Sequence, residues 1–278
     1  MRVRGVLCDL DGVVYRAHQP CPGAVEGISA ARASGVPVLF MTNNASRTPG
    51  DVARQLTGLG LPATADEVLT ASQVAAALVA SEYPSMATDG GGTVLAVGGP
   101  GVGTALEEHG LRWVDTAAVR AGLASRPVQV DVVVQGYGPD VAVADLTEAA
   151  YAVAAGAAWV ATNDDATLPT ERGLAPGNGS LLAAVRHATG AEPRVVGKPH
   201  AYAYQEGLAR LGLAPHECLM IGDRLDTDIA GARALGLPSA LVLTGVTTRE
   251  DARSAPESMR PDLTVDSLVE LAHLWGAA

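Results

Sequence analysis

The chain has 278 residues, 48% of them hydrophobic and only 4% aromatic, so its core has to be built from Ala, Val and Leu. That length suits one large domain or two smaller ones. A net charge of −11 argues against a nucleic-acid surface, which needs a basic stripe, and it leaves any anion site to local groups: backbone amides, one or two cations, a metal.

Val3 to Leu10 reads as a short buried strand, and Asp9 and Asp11 stand at its exit. Ala24 to Ser34 reads as a helix closed by Gly35. Val36 to Met41 is a second buried strand running into Thr42, Asn43 and Asn44. Pro49 to Leu59 and Ala71 to Ser81 are helical. Strands alternating with helices argue for a parallel sheet covered on both faces. Glu82 to Thr93 is a Gly/Pro/Ser/Asp cluster, a linker signal. A second α/β unit follows, with the strands Asp131 to Gly136 and Ala158 to Thr162. From Ala201 the first texture resumes: a helix, the strand Cys218 to Asp223, a helix over Thr227 to Gly236 and the strand Ser239 to Gly245. Ser267 to Trp275 predicts a short terminal helix. The fold class is α/β: a Rossmann-like parallel sheet core (1–84 and 195–278) with a smaller α/β domain inserted at 85–194.

Cys8, Cys21 and Cys218 show neither disulfide nor zinc spacing. No apolar run approaches a membrane span, and no leader precedes Val3. The expectation is a cytoplasmic chain with no membrane or nucleic-acid partner.

In an open parallel sheet the chemistry sits just outside the carboxyl ends of the strands. Asp9 and Asp11 occupy that place after the first strand, and Thr42, Asn43 and Asn44 after the second. Gly197 and Lys198 follow "RVV". Gly222 and Asp223 follow "LMI", with Asp226 and Asp228 close behind. Carboxylates gathered at one edge repel each other, and a hard cation with oxygen ligands relieves them; Mg²⁺ fits. A lysine and a threonine added to that set would bind phosphate oxygens. Gly12 lets the chain turn so that N–H groups can face an anion. One carboxylate could then attack phosphorus and a second move protons.

The order DxDG, strand-terminal TNN, GKP and GDxxxxD resembles the haloacid dehalogenase superfamily of phosphohydrolases. The stretches "DLDGVVY", "TNNASRTP", "ATNDDATLPTERGLAPGNGS", "VGKP" and "IGDRLDTDIAGA" are similar to its subfamily IIA, the NagD or p-nitrophenylphosphatase-like branch. The resemblance implies a Mg²⁺-dependent phosphatase of a small phosphate ester, of sugar phosphate, glycerol phosphate or phosphoglycolate type, acting through an aspartyl-phosphate. It makes Asp9 the nucleophile and Asp11 the proton carrier. Gly12, Thr42, Asn43 and Lys198 would bind phosphate. Asp9, Asp11 (by its carbonyl) and Asp223 would bind Mg²⁺, supported by Asp228 and Asn44. The insert becomes a C2-type cap that selects the leaving group, with Asn163 and Asp164 as its substrate contacts and the "PGNGS" loop (Pro176 to Ser180) beside them. A monomer or a homodimer is compatible.

Blander readings stand beside these. Asn163 could cap a turn, Asp226 could cap the helix from Thr227, and Lys198 could be a solvated loop residue. The six histidines show no metal-ligand spacing. "GGPGVG" (Gly98 to Gly103) lacks the full dinucleotide pattern and reads as a strand-to-helix turn. A phosphotransferase on the same fold, or a silent metabolite-binding relative, are the alternatives.

Overall fold

A computed structural model of the chain describes residues 3–88, 91–122, 129–170 and 172–275. It divides into two compact units, Met1–Thr42 with Pro49–Leu69 and Lys198–Ala278, and Asn43–Thr48 with Thr70–Gly197.

The first unit is built on a six-stranded sheet in the order Leu263–Val265, Ser239–Val242, Cys218–Gly222, Gly5–Asp9, Val38–Thr42, Val68–Thr70. The pairings from Leu263–Val265 through to Val38–Thr42 are parallel. The central strands have every residue buried, as strands covered on both faces must. Val6, Cys8, Phe40, Leu219 and Ile221 form the middle of its core. In chain order the strands run 6-5-4-1-2-3, the doubly wound arrangement. Its topological switch lies between Gly5–Asp9 and Cys218–Gly222, and ligands bind outside the carboxyl ends at such a point.

The second unit has its own five-stranded parallel sheet, ordered Arg194–Val195, Ala158–Ala161, Val132–Gln135, Val94–Val97, Trp113–Asp115. Its core holds Leu95, Val97, Val133, Trp159 and Leu182. The helix Ala71–Glu82 packs against Pro100–Glu108 of this unit, although the sequence division keeps it with the first segment. This sheet also has a switch point, between Val94–Val97 and Val132–Gln135. The segment Asn43–Thr48 fills it. The Gly101 N–H donates to Ser46 O at 3.1 Å, and a Cβ on Gly99 would lie 2.7 Å from Ser46 Cα. "GGPGVG" is therefore the strand-to-helix turn expected, and its glycines make room for the chain's own backbone.

Short edge elements escaped the sequence reading. Leu263–Val265 and Val68–Thr70 are three-residue strands, and Thr167–Thr170 pairs with Gly173–Pro176 as a mostly exposed antiparallel ribbon. The linker-like stretch 82–93 holds a short helical turn, Pro84–Ala87, and its residues 89 and 90 lie outside the described residues. Among the described residues no helix is long and apolar enough to cross a membrane.

Candidate active site

At the switch point of the first sheet, Asp9 is the last residue of its strand and Asp223 follows the next strand over. Lys198 enters between them and Asp228. Its Nζ lies 2.5 Å from Asp9 Oδ1 and 2.6 Å from Asp228 Oδ1. All four residues are buried. Lys198 is also the only lysine in the chain, so a solvated loop role is ruled out by its burial. Burial works against its charge, but Asp228 and Asp9 outweigh burial and push its pKa well above the ordinary value. Burial, with the nearby Asp228 and Asp223 charges, pushes the Asp9 carboxyl well up, against the pull of Lys198.

Oxygens of Asp9, Asp223 and Asp228 come within 4.8 Å of one another. Three carboxylates against one ammonium leave two negative charges in a buried place, the deficit that one divalent cation would fill. The Asp223 carboxylate shows where. A Cβ on Gly12 would lie 2.4 Å from its Oδ2, and one on Gly245 only 1.9 Å away, so two glycines let the carboxylate lie flat between them. Oδ2 accepts the Val246 N–H at 2.8 Å, whereas Oδ1 is buried and has no hydrogen-bond partner among the described residues. Burial and the Asp228 charge raise the Asp223 pKa to about 6. An orphaned carboxylate oxygen in an all-oxygen donor set fits a hard cation such as Mg²⁺.

The remaining predicted residues take different places. Gly12 is buried with φ +82°, a backbone that favours glycine, and its carbonyl accepts the Thr244 hydroxyl at 2.7 Å. Asp11 is exposed and is not one of the three clustered carboxylates. Thr42 is buried at the end of its strand. Asp228 rests on Gly222, where a Cβ would lie 2.2 Å from its own Cβ. Asp226 is exposed and pairs with Arg224 at 3.0 Å, a surface ion pair.

In the second unit, Asn44 accepts the Ser46 N–H at 2.9 Å and organises the 43–48 turn. Asn163 is buried and donates its amide to Asn43 O at 2.7 Å. Asn178 Nδ2 donates to Asn163 O, also at 2.7 Å, and Asn43 Nδ2 lies 3.2 Å from Asp165 Oδ2. Asp164 is exposed.

Sequence reasoning passed over Gly245, Asp165 and Tyr204. The rule that flagged Asp9 and Asp223, a strand's carboxyl end, applies equally to Thr244 and Gly245. Asn178 looked like part of a loop; it opens the helix Asn178–Thr189. The helix expected from Thr227 opens earlier, as a π-helical turn over Leu225–Ile229, with the Asp228 and Ile229 N–H groups both on Arg224 O; α geometry holds only over Ala230–Ala234.

Comparison with known proteins gives a consistent picture. A family model described as haloacid dehalogenase-like hydrolase matches residues 6–112, and a HAD-hydrolase-like model matches 195–271. A D-glycerol 3-phosphate phosphatase of Mycobacterium tuberculosis is 46% identical over 256 residues, 92% of this chain and 67% of that protein. The 5′-nucleotidase YutF of Bacillus subtilis is 35% identical over 267 residues, 96% of each chain. A crystal structure of glycerol phosphate phosphatase from M. tuberculosis in complex with magnesium superposes with a TM-score of 0.85 at 44% identity, covering 97% of this chain and 76% of that one.

Proposed function

Because the chain belongs to the haloacid dehalogenase-like hydrolases, we propose that it hydrolyses small phosphate esters with Mg²⁺, using Asp9 as the nucleophile. The observation that carries this reading is the buried cluster of Asp9, Asp223, Asp228 and Lys198, two positive charges short of neutral, with Asp223 Oδ1 unpartnered among the described residues.

A carboxylate oxygen of Asp9 attacks phosphorus as the bond to the leaving alcohol breaks. Asp11, exposed and outside the cluster, gives that alcohol its proton. A water then attacks the aspartyl-phosphate, Asp11 takes its proton back, and inorganic phosphate leaves as the Asp9 carboxylate is restored. Lys198 and Thr42 hold phosphoryl oxygens, and the Asn43 N–H is a further donor. Asp9, Asp223 and the Asp11 carbonyl would hold Mg²⁺, which supplies positive charge against the phosphoryl oxygens when bound. Most of the rate comes from positioning and charge neutralisation, since the phosphoryl group needs little covalent help.

The second unit is the C2-type cap of this reading and selects the leaving group. Asp164, exposed, is its better candidate for that contact; Asn163 spends its amide on Asn43 O. Glycerol phosphates and nucleoside monophosphates lead the substrates to try, because one relative is named a D-glycerol 3-phosphate phosphatase and another a 5′-nucleotidase. Three free, buried cysteines suit a reducing compartment, which supports the cytoplasmic reading.

The test is turnover of p-nitrophenyl phosphate and a panel of phosphate esters. Wild type turns over with Mg²⁺ and stops in EDTA, and Asp9→Asn is inactive. An Asp9→Asn protein with full activity would sink the mechanism.

A further inference from the structure

The helix Ala201–Leu211 begins just after Lys198 and carries the fully buried Tyr204. A buried phenol needs a partner for its O–H. Here it donates to Thr227 O at 2.6 Å and lies 3.2 Å from Asp228 O. Both carbonyls belong to the π-helical turn Leu225–Ile229. Such turns are rare and concentrate at functional places. This one delivers Asp228: Oδ1 meets Lys198 Nζ at 2.6 Å and Oδ2 accepts the Arg224 N–H at 3.2 Å. The tyrosine ring is gripped in turn. A Cβ on Gly231 would lie 2.4 Å from its Cε2 and 2.5 Å from its hydroxyl oxygen. Glycine at 231 therefore reserves the space that the phenol occupies.

We propose that Tyr204 is a positioning residue for the reaction: its hydroxyl pins the π turn that aims Asp228 at Lys198, and so fixes the ammonium that Asp9 shares. The catalytic part of this rests on the phosphatase reading above; the clamp itself does not. A phenylalanine would fill the same space among the same neighbours, so packing alone gives no reason for the hydroxyl.

Lys198 being the only lysine, ¹⁵N-lysine labelling puts a single side-chain Nζ reporter in the protein. The experiment compares wild type, Tyr204→Phe, Asp228→Asn and the double variant of the full chain in EDTA, with kinetics in Mg²⁺ on p-nitrophenyl phosphate. Tyr204→Phe is expected to shift the Nζ resonance in the direction that Asp228→Asn shifts it, and by less. It should lower kcat about tenfold with KM changed by less than about threefold, the pattern of an interaction lost from the transition state. The double variant should be no slower than Asp228→Asn alone, since Tyr204 acts through Asp228. An Nζ resonance that stays in place in Tyr204→Phe would overturn the proposal, and so would additive effects in the double variant. Should Tyr204→Phe fail to fold, Gly231→Ala pushes the ring from the other side, and an unmoved Nζ signal there is equally fatal. The resonance does not depend on turnover, so failure of the phosphatase reading, seen as an active Asp9→Asn, is separable from failure of the clamp.

Discussion

Replacing Lys198 with methionine tests the charge accounting at the heart of the site. The substitution keeps an unbranched side chain and removes the lysine ammonium that lies 2.5 Å from Asp9 and 2.6 Å from Asp228. Three buried carboxylates are then left facing each other within 4.8 Å. Removing one partner of a buried ion pair costs about 3–5 kcal/mol. Against a total stability of about 5–15 kcal/mol that is a large fraction. At about 2–4 °C per kcal/mol for a unit of this size, Tm should fall by roughly 6–20 °C. These figures apply in EDTA. Mg²⁺ at a hundred times its Kd returns about 2.7 kcal/mol, and the variant should gain more from it than wild type, because no ammonium competes for the same carboxylates. Calorimetric melts of both proteins, in EDTA and in MgCl₂, measure all four values. Equal Tm for the two proteins in EDTA would refute the reasoning, as would a Mg²⁺ response absent from both.

Asp223→Asn should behave in the opposite sense. A carboxyl raised to about 6 from an ordinary value near 3.9 costs about 3 kcal/mol when ionised at neutral pH. The variant should therefore melt higher than wild type in EDTA and lose the Mg²⁺-dependent rise in Tm, both read in the same melts. Burial opposes the charge of Asp145, but hydrogen bonds from Thr116, the Ala142 N–H and Arg120 hold its pKa below the usual carboxylate range. A depressed folded pKa contributes stability that is fully present above about pH 4 and fades as the pH falls through the folded value. Melts from pH 6 to pH 3 should show a wild-type advantage over Asp145→Asn of about 1 kcal/mol that shrinks toward the acid end. Gly101→Val would set a Cβ 2.5 Å from Arg47 O and 2.6 Å from Ala45 O. It should cost about 1–3 kcal/mol and open residues 43–48 to limited proteolysis, while an uncleaved, equally stable variant would contradict the packing described.

The central strands were legible because burial on both faces writes itself as an apolar run: Gly5–Asp9, Val38–Thr42 and Cys218–Gly222 read this way. Asp9, Lys198 and Asp223 drew notice because each follows an apolar run, and the order of the motifs told against the bland readings; the structure gathers them with Asp228 in one buried cluster. Leu263–Val265 is half-buried at the sheet edge between Asp262 and Asp266, and its pattern carries no comparable signal. The π turn was illegible because local sequence predicts an ordinary helix; a tyrosine more than twenty residues earlier in the chain, bonding to its carbonyls, is a tertiary fact. Asn163 was placed correctly at a strand's exit, but nothing local shows that its amide turns to Asn43 O rather than outward.

The occupied crevice of the second sheet bears on how the protein can be taken apart. Ser46 O on the Gly101 N–H and the backbone of residues 45–47 on Gly99 and Gly101 make six residues from far upstream an integral piece of that unit. A fragment cut at 70 and 197 would carry an empty glycine-lined slot and an uncapped helix end. Anyone transplanting this unit onto another scaffold, to change what that scaffold accepts, would have to bring the hexapeptide along. Conversely, a synthetic copy of residues 43–48 added to the bare fragment should act as its missing wedge.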